Sequence, residues 1–335
     1  MSGRYMRWLP GAAAVLLAIL SWPGRAAGPA APVPEQRRIF ASGGGAGLRV
    51  AATPWKAQPL RWIVKSDAGV LAQDVQKSDD RGGLAPRFAV PDVRVAVSLL
   101  LSIAPQDEPG AAQMWEVLVL PKDPLADSRK TLAALGVGVL PSGSLAAAVK
   151  RSGLTVTELQ YDIARSEFRG KVVLLGGLLG DSVDATRRWV ASLPKGTCLV
   201  AVASGPEANA IGPLLPCLKA EAAPKQAVLH VEEASPVWSD LPVGWLGDKP
   251  PSAVLGQPRG VLSVRVLAGH VDREGNVFPL VLEAGDAEGH FWLVWNPTWS
   301  AAEEDPRWDL LLRNSLLWAG EKQRRPSGPA TRPAT

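Results

Sequence analysis

Lys171-Val172-Val173-Leu174-Leu175-Gly176-Gly177 and, further on, Cys198-Leu199-Val200-Ala201-Val202-Ala203-Ser204-Gly205 are two unbroken apolar runs that end in small residues. Strands buried on both faces read this way, without the polar alternation of a half-exposed strand. Between them Asp181 or Ser182 can cap a helix that carries Val183, Trp189, Val190 and Leu193, and Pro194-Lys195-Gly196 ends it. A strand, a helix and a second strand in this order require a right-handed crossover. The region is therefore α/β, with a mostly parallel sheet.

Toward the C-terminus, Ala227 to Val231 is strand-like, and Leu262 to Leu267 and Phe278 to Glu283 flank a polar turn at Asp272-Arg273-Glu274-Gly275-Asn276. Gly285-Asp286-Ala287-Glu288-Gly289 is a hairpin turn before the apolar strand His290 to Trp295. Pro306-Arg307-Trp308 opens an amphipathic helix through Leu311, Leu312, Leu316 and Leu317 to Gly320. Residues 321–335 form a polar, Pro-rich tail, expected to be disordered. Toward the N-terminus, Ser142-Gly143-Ser144 caps a helix from Leu145 to Arg151, Gly153 stops it, and Leu154 to Leu159 is a strand.

Before Pro121 the pattern changes. Leu60 to Val64, Val70 to Val75, Val93 to Leu99 and Met114 to Leu120 are short β-rich runs, separated by Asp67-Ala68-Gly69 and Asp79-Asp80-Arg81-Gly82-Gly83. Strands at this spacing predict an antiparallel β-sandwich over residues 48–121, followed by the α/β domain over 122–320. Most of the thirteen tryptophans, among them Trp62, Trp115, Trp189, Trp292 and Trp318, sit in apolar contexts that make them core residues. Trp299 and Trp295 fall near the end of a strand, where a ligand edge could lie.

Residues 1–27 read as a secretory signal peptide. Arg4 and Arg7 precede the apolar core Gly11 to Leu20, and Arg25-Ala26-Ala27 offers a peptidase site. The core is shorter than the roughly 20 residues a membrane span takes, so no stable transmembrane segment is expected after cleavage. The residues also admit an uncleaved amphitropic anchor. Residues 28–47 form a Pro/Ala- and Gly-rich linker; no Lys-Ser or Lys-Thr follows Gly43-Gly44-Gly45, which argues against a phosphate loop. Export argues against ATP- or nicotinamide-dependent chemistry. The net charge of +4 includes Arg4, Arg7 and Arg25, and losing them leaves +1. A nucleic-acid partner would need a clustered basic face, and none is visible. Cys198 and Cys217 could form a disulfide, or Cys198 could be a buried strand thiol; no spacing suits zinc, and no cofactor is expected.

From Lys171 to Gly320 the chain resembles the class I glutamine amidotransferase-like fold, a flavodoxin-like αβα arrangement, in its divergent envelope versions from exported bacterial proteins. The resemblance rests on Val172-Val173-Leu174-Leu175-Gly176, Pro194-Lys195-Gly196, Leu199 to Ala203 with Ser204-Gly205, and the closing segment Pro306 to Ala319. The β-rich half resembles the sandwich modules of sugar-acting enzymes such as the glycoside hydrolase family 2 group. The amidotransferase likeness implies a nucleophilic cysteine in a strand-to-helix elbow and a His-Pro-Glu segment after a late strand. Thiolate attack needs both groups. Here the corresponding stretches are Ala203-Ser204-Gly205-Pro206 and Asn296-Pro297-Thr298, and Cys198 comes several residues too early. Glutamine hydrolysis is not expected.

A serine elbow needs glycines two residues before and after the nucleophile, and Ser204 has Val202 and Pro206 there. Glu232-Glu233 and Glu303-Glu304-Asp305 would make a two-carboxylate site only if the fold joined them. The expectation is a non-catalytic exported protein that binds an envelope glycan, peptide or protein partner. Ligands of open α/β sheets lie outside the carboxyl ends of the strands, which nominates Gly176, Gly177, Asp181, Ser204, Gly205, Asn296 and Trp299 as ligand-binding residues. The alternatives are an extracytoplasmic hydrolase using Ser204 or a carboxylate pair, and a scaffold subunit of an envelope complex.

Overall fold

The computed structural model describes residues 38–42, 48, 50, 53–140, 144–159, 168–175, 183–203, 214–215, 217–232, 235–238, 241, 243–247, 249–256, 261–298, 305 and 307–324. Five strands come first: β1 (Arg38–Ser42), β2 (Pro59–Ser66), β3 (Gly69–Lys77), β4 (Val97–Pro105) and β5 (Gln113–Leu120). They form one sheet in the order β1-β5-β4-β2-β3, antiparallel except for the parallel pair β1–β5.

Leu60, Trp62 and Val64 of β2, Leu99, Leu101 and Ile103 of β4, and Trp115, Val117 and Val119 of β5 recur at period two and fill one buried face. Leu48, Val50, Leu84 and Val90 cover that face from irregular chain, and Val50 and Leu84 exchange backbone hydrogen bonds. This antiparallel β unit is compatible with the sandwich expectation; among the described residues a single sheet carries it. The run expected as a strand from Val93 to Leu99 is displaced: β4 begins at Val97 and continues the same period two through Ile103, while Val95 is half exposed. The open edge strand β3 leaves Val70 55% and Leu71 48% exposed.

The second sheet takes β6 (Val137–Val139), β7 (Thr157–Glu158), β8 (Val172–Leu175) and β9 (Cys198–Val202) from the middle of the chain. A small pair, β10 (Leu218–Ala220) with β12 (Ala253–Leu255), forms a separate sheet packed beside β14, and β11 (Ala227–Val231), β13 (Val261–Asp272), β14 (Val277–Asp286) and β15 (Phe291–Trp295) complete the large one. The order is β11-β13-β14-β15-β9-β8-β6-β7, antiparallel through β11-β13-β14-β15 and parallel from β15 to β7. Among the parallel strands, numbered by their place in the chain, the order is 2-1-3-4-5. The strand expected from Leu154 to Leu159 is reduced to the two residues of β7.

Helices cover both faces. On one lie α1 (Arg129–Ala133), α2 (Ser144–Ser152) and α4 (Arg307–Arg324); on the other lies α3 (Val183–Ser192). The unbroken runs divide at period two: Val172, Leu174, Cys198, Val200 and Val202 face α2 and α4, while Val173, Leu175, Leu199 and Ala201 face α3. Cys217 packs on the α3 side, across the sheet from Cys198, and both thiols are free, which removes the disulfide alternative. Helix α4 runs past Gly320 into the expected tail because Lys322 and Gln323 find partners in Glu283 and the Gly196 carbonyl.

The two sheets share a core. Leu118 and Leu120 project from the opposite face of β5 and join Leu125, Leu132 and α4.

Candidate functional site

The carboxyl ends of β6, β8, β9 and β15 lie along one edge of the parallel sheet. Leu140, Leu175 and Ala203 make its floor, all buried and apolar. The Leu140 N–H donates to the Leu174 carbonyl at 3.1 Å, and the Ala203 N–H donates to the Trp295 carbonyl at 2.7 Å. Among the nominated residues, Gly176, Gly177, Asp181, Ser204, Gly205 and Trp299 lie outside the described residues.

Asn296 is described, and it is buried. Its N–H donates to the Leu280 carbonyl at 2.7 Å and its Nδ2 to the Pro279 carbonyl at 3.2 Å, which fastens the end of β15 to β14. Next to it the Thr298 N–H donates to the Leu246 carbonyl at 3.0 Å. Gly247, with φ 131°, lets the chains approach: a Cβ there would come within 1.8 Å of Thr298 Oγ1. Trp295 is not at a ligand edge. Its ring is fully buried under α4, Nε1 donates to Ser315 Oγ at 2.8 Å, and the ring meets Trp238 edge-on at 6.2 Å.

None of the three histidines lies on β9 or at its carboxyl end. His270 on β13 and His230 on β11 are three and four strands away, roughly 14 and 19 Å at the usual ~4.8 Å per strand. Burial, and secondly the nearby His230, push the His270 imidazole down to about 4, so it is neutral near pH 7. His290, just before β15, is at the amino end of the parallel strands.

There the β14–β15 turn builds a buried acid–imidazole pair that sequence reading missed. Asp286 Oδ2 accepts from His290 Nδ1 at 2.9 Å and from Trp292 Nε1 at 2.8 Å, while Oδ1 accepts from the His290 backbone N–H at 2.8 Å. Burial alone would raise the Asp286 carboxyl, but these bonds outweigh it and hold the group below the ordinary carboxylate value. The spacing Asp-x-x-x-His over a glycine-ended turn was a legible sign of a side chain folding back across its own hairpin.

The acidic candidates are committed elsewhere. Glu232 is ion-paired with Arg265, whose Nε donates to Oε2 at 2.8 Å. Asp305 accepts from Arg307 Nε at 3.0 Å and Nη2 at 2.7 Å, and Arg307 Nη1 reaches the Trp245 carbonyl at 3.1 Å. Glu233, Glu303 and Glu304 lie outside the described residues. Cys198 is under α4 at the amino end of β9, and burial pushes its thiol up to about 11 against the hydrogen bond from Gln323. Among the described residues no three His, Cys, Asp or Glu side chains gather in a way that would hold a metal ion, and no helix is long and apolar enough to cross a membrane.

No protein-family model and no curated protein matches the chain. Among solved structures, a Bacteroides ovatus GH5 xyloglucanase in complex with a XXXG heptasaccharide is similar over 51% of this chain and 45% of its own, at 10% identity and a TM-score of 0.20. The match thus spans less than half the length of that enzyme.

Proposed function

We propose that the protein is a non-catalytic exported envelope protein whose α/β unit, of glutamine amidotransferase-like and flavodoxin-like build, binds a glycan, peptide or protein partner at the carboxyl ends of its parallel strands. The supporting build is the 2-1-3-4-5 order of the parallel strands, which flavodoxin-like sheets share. The observation that carries the non-catalytic reading is the placement of Cys198. A thiol at the amino end of β9, buried under α4 and raised to about 11, cannot supply the thiolate that amidotransferase chemistry needs. The candidate acids argue in the same direction, since Glu232 and Asp305 are each neutralised by an arginine.

The binding face would comprise Gly176, Gly177, Asp181, Ser204, Gly205 and Trp299, held from beneath by the buried Asn296, with Trp299 stacking on a sugar or apolar group. Titration of the mature protein with soluble peptidoglycan fragments, followed by Trp299→Ala, tests it: saturable binding weakened about tenfold or more by the substitution is expected. Binding that the substitution leaves unchanged rejects this face. Labelling of Ser204 by a serine-reactive phosphonate would replace the proposal with the hydrolase reading.

A further inference from the structure

His290 has two oxygen acceptors, one on each side of its ring. Nδ1 faces Asp286 Oδ2 at 2.9 Å, and Nε2 faces the Leu193 carbonyl at 3.3 Å. The side chain is 0% exposed, so water cannot replace either partner. A neutral imidazole has one N–H and one lone pair; only the imidazolium donates to both oxygens. Leu193 directly follows α3, whose last carbonyls lack helical partners and form the negative end of the helix dipole. A buried cation at that position satisfies the orphan carbonyl and the dipole together.

The same junction is clasped by backbone. The Gly196 N–H donates to the Gly289 carbonyl at 2.9 Å, and the Phe291 N–H donates to the Thr197 carbonyl at 3.0 Å. From α4, Gln323 Nε2 donates to the Gly196 carbonyl at 2.6 Å. We propose that His290 is a proton-dependent latch: as imidazolium it locks the end of α3 to the β14–β15 turn, and loss of its Nε2 proton opens that junction. Deprotonation would leave Nδ1–H on Asp286 and set the Nε2 lone pair against the Leu193 oxygen, two acceptors face to face.

The charged surroundings favour the proton. Asp286 and Glu288 come from the turn itself. Lys195, from the α3–β9 connection, lays its stem beside Gly289. Lys322 of α4 is committed to Glu283, and Arg187 and Arg188 of α3 are exposed. Burial opposes the charge, yet the bond and charge of Asp286, the Leu193 carbonyl and Glu288 outweigh it and hold the imidazole above its ordinary 6.5. The latch is therefore fully engaged below about pH 6.5 and lost as pH rises through the elevated value. Both thiols, pushed up to about 11, and His270, near 4, stay silent in that window.

The test uses the mature protein. Nitrogen-15 correlation spectra of the imidazoles should show both His290 nitrogens protonated at pH 6. Amide exchange at Gly196 and Phe291, corrected for the intrinsic effect of pH, should accelerate about tenfold per unit once pH passes the His290 value. Asp286→Asn should move that transition to lower pH, and His290→Gln should leave exchange fast and flat from pH 6 to 9. A neutral His290 at pH 6, or protection that ignores pH, overturns the latch. Should His290→Gln fail to fold, the spectra and Asp286→Asn decide.

Discussion

Glu283 is a charged residue in the apolar run Val277-Phe278-Pro279-Leu280-Val281-Leu282, and the structure gives it partners from two elements. Oε1 accepts from Trp318 Nε1 at 2.6 Å, Oε2 accepts from Lys322 Nζ at 2.9 Å, and Arg265 Nη1 stands 3.8 Å away. Lys322 also lies over the Trp318 ring, 5.7 Å from its centroid. Hydrogen bonds to charged groups contribute about 1.5–3 kcal/mol each, but Arg265 is half exposed and its share is screened. Glu283→Ala should therefore cost about 2–3 kcal/mol in chemical denaturation, and Glu283→Gln about 1 kcal/mol, because the amide oxygen can still accept from Trp318. A cost below about 0.5 kcal/mol for the alanine variant would show that α4 is held by its leucines alone. Little of this was legible in the chain: a lone glutamate after six apolar residues signals a buried polar partner without saying which. Asp286 and His290 left one sign, the Asp-x-x-x-His spacing, which the look of an ordinary glycine-bounded hairpin masked.

Among the elements, β8, β9 and β15 were legible because a strand buried on both faces leaves an apolar run without interruption. The three residues of β6, a valine on either side of Gly138, were not; nothing local distinguishes Val-Gly-Val from a loop until neighbours on both sides bury it. In β4 the period was right and the expected start was four residues early, because Val93 and Val95 extend the same alternation into chain that does not pair. Burial separates the strands of the first sheet energetically. Leu101 is at the centre of that core, and truncation to alanine should cost about 2–5 kcal/mol. Leu71 on β3 is half exposed at an open edge, and the same change there should fall within about 0.5 kcal/mol. Paired melting curves of the two variants check the contrast; equal losses would mean that β3 is covered in solution.

At the scale of the molecule, two buried histidines work with opposite sign. His290 is held above its ordinary value, so its contribution is complete below about pH 6.5 and fades above. His270 is held near 4, so it resists the proton that the unfolded chain accepts, and stability falls as pH drops from about 6.5 toward 4. The slope is about 1.4 kcal/mol per pH unit for one group. Stability should peak near pH 6.5, with His270→Leu flattening the acidic limb and His290→Gln the alkaline one; a melting temperature constant from pH 5 to 9 would refute both assignments. The α/β class was written plainly in the sequence, and the candidate site only in part. Asn296 was picked out by its place after β15, but its amide turned out to serve β14.

The last consequence concerns the order in which the chain can assemble. Strand β15 pairs with β9 from Phe291 opposite Cys198 to Trp295 opposite Val202, yet β10 through β14 intervene in sequence. Closing so long a loop precedes any reward from the ladder it creates, which slows the search. An emerging polypeptide would keep one side of β9 bare until Phe291–Trp295 had been made. The parallel half of the sheet is thus finished only by β15, and a nascent chain stopped before Phe291 would expose a sticky, half-made edge.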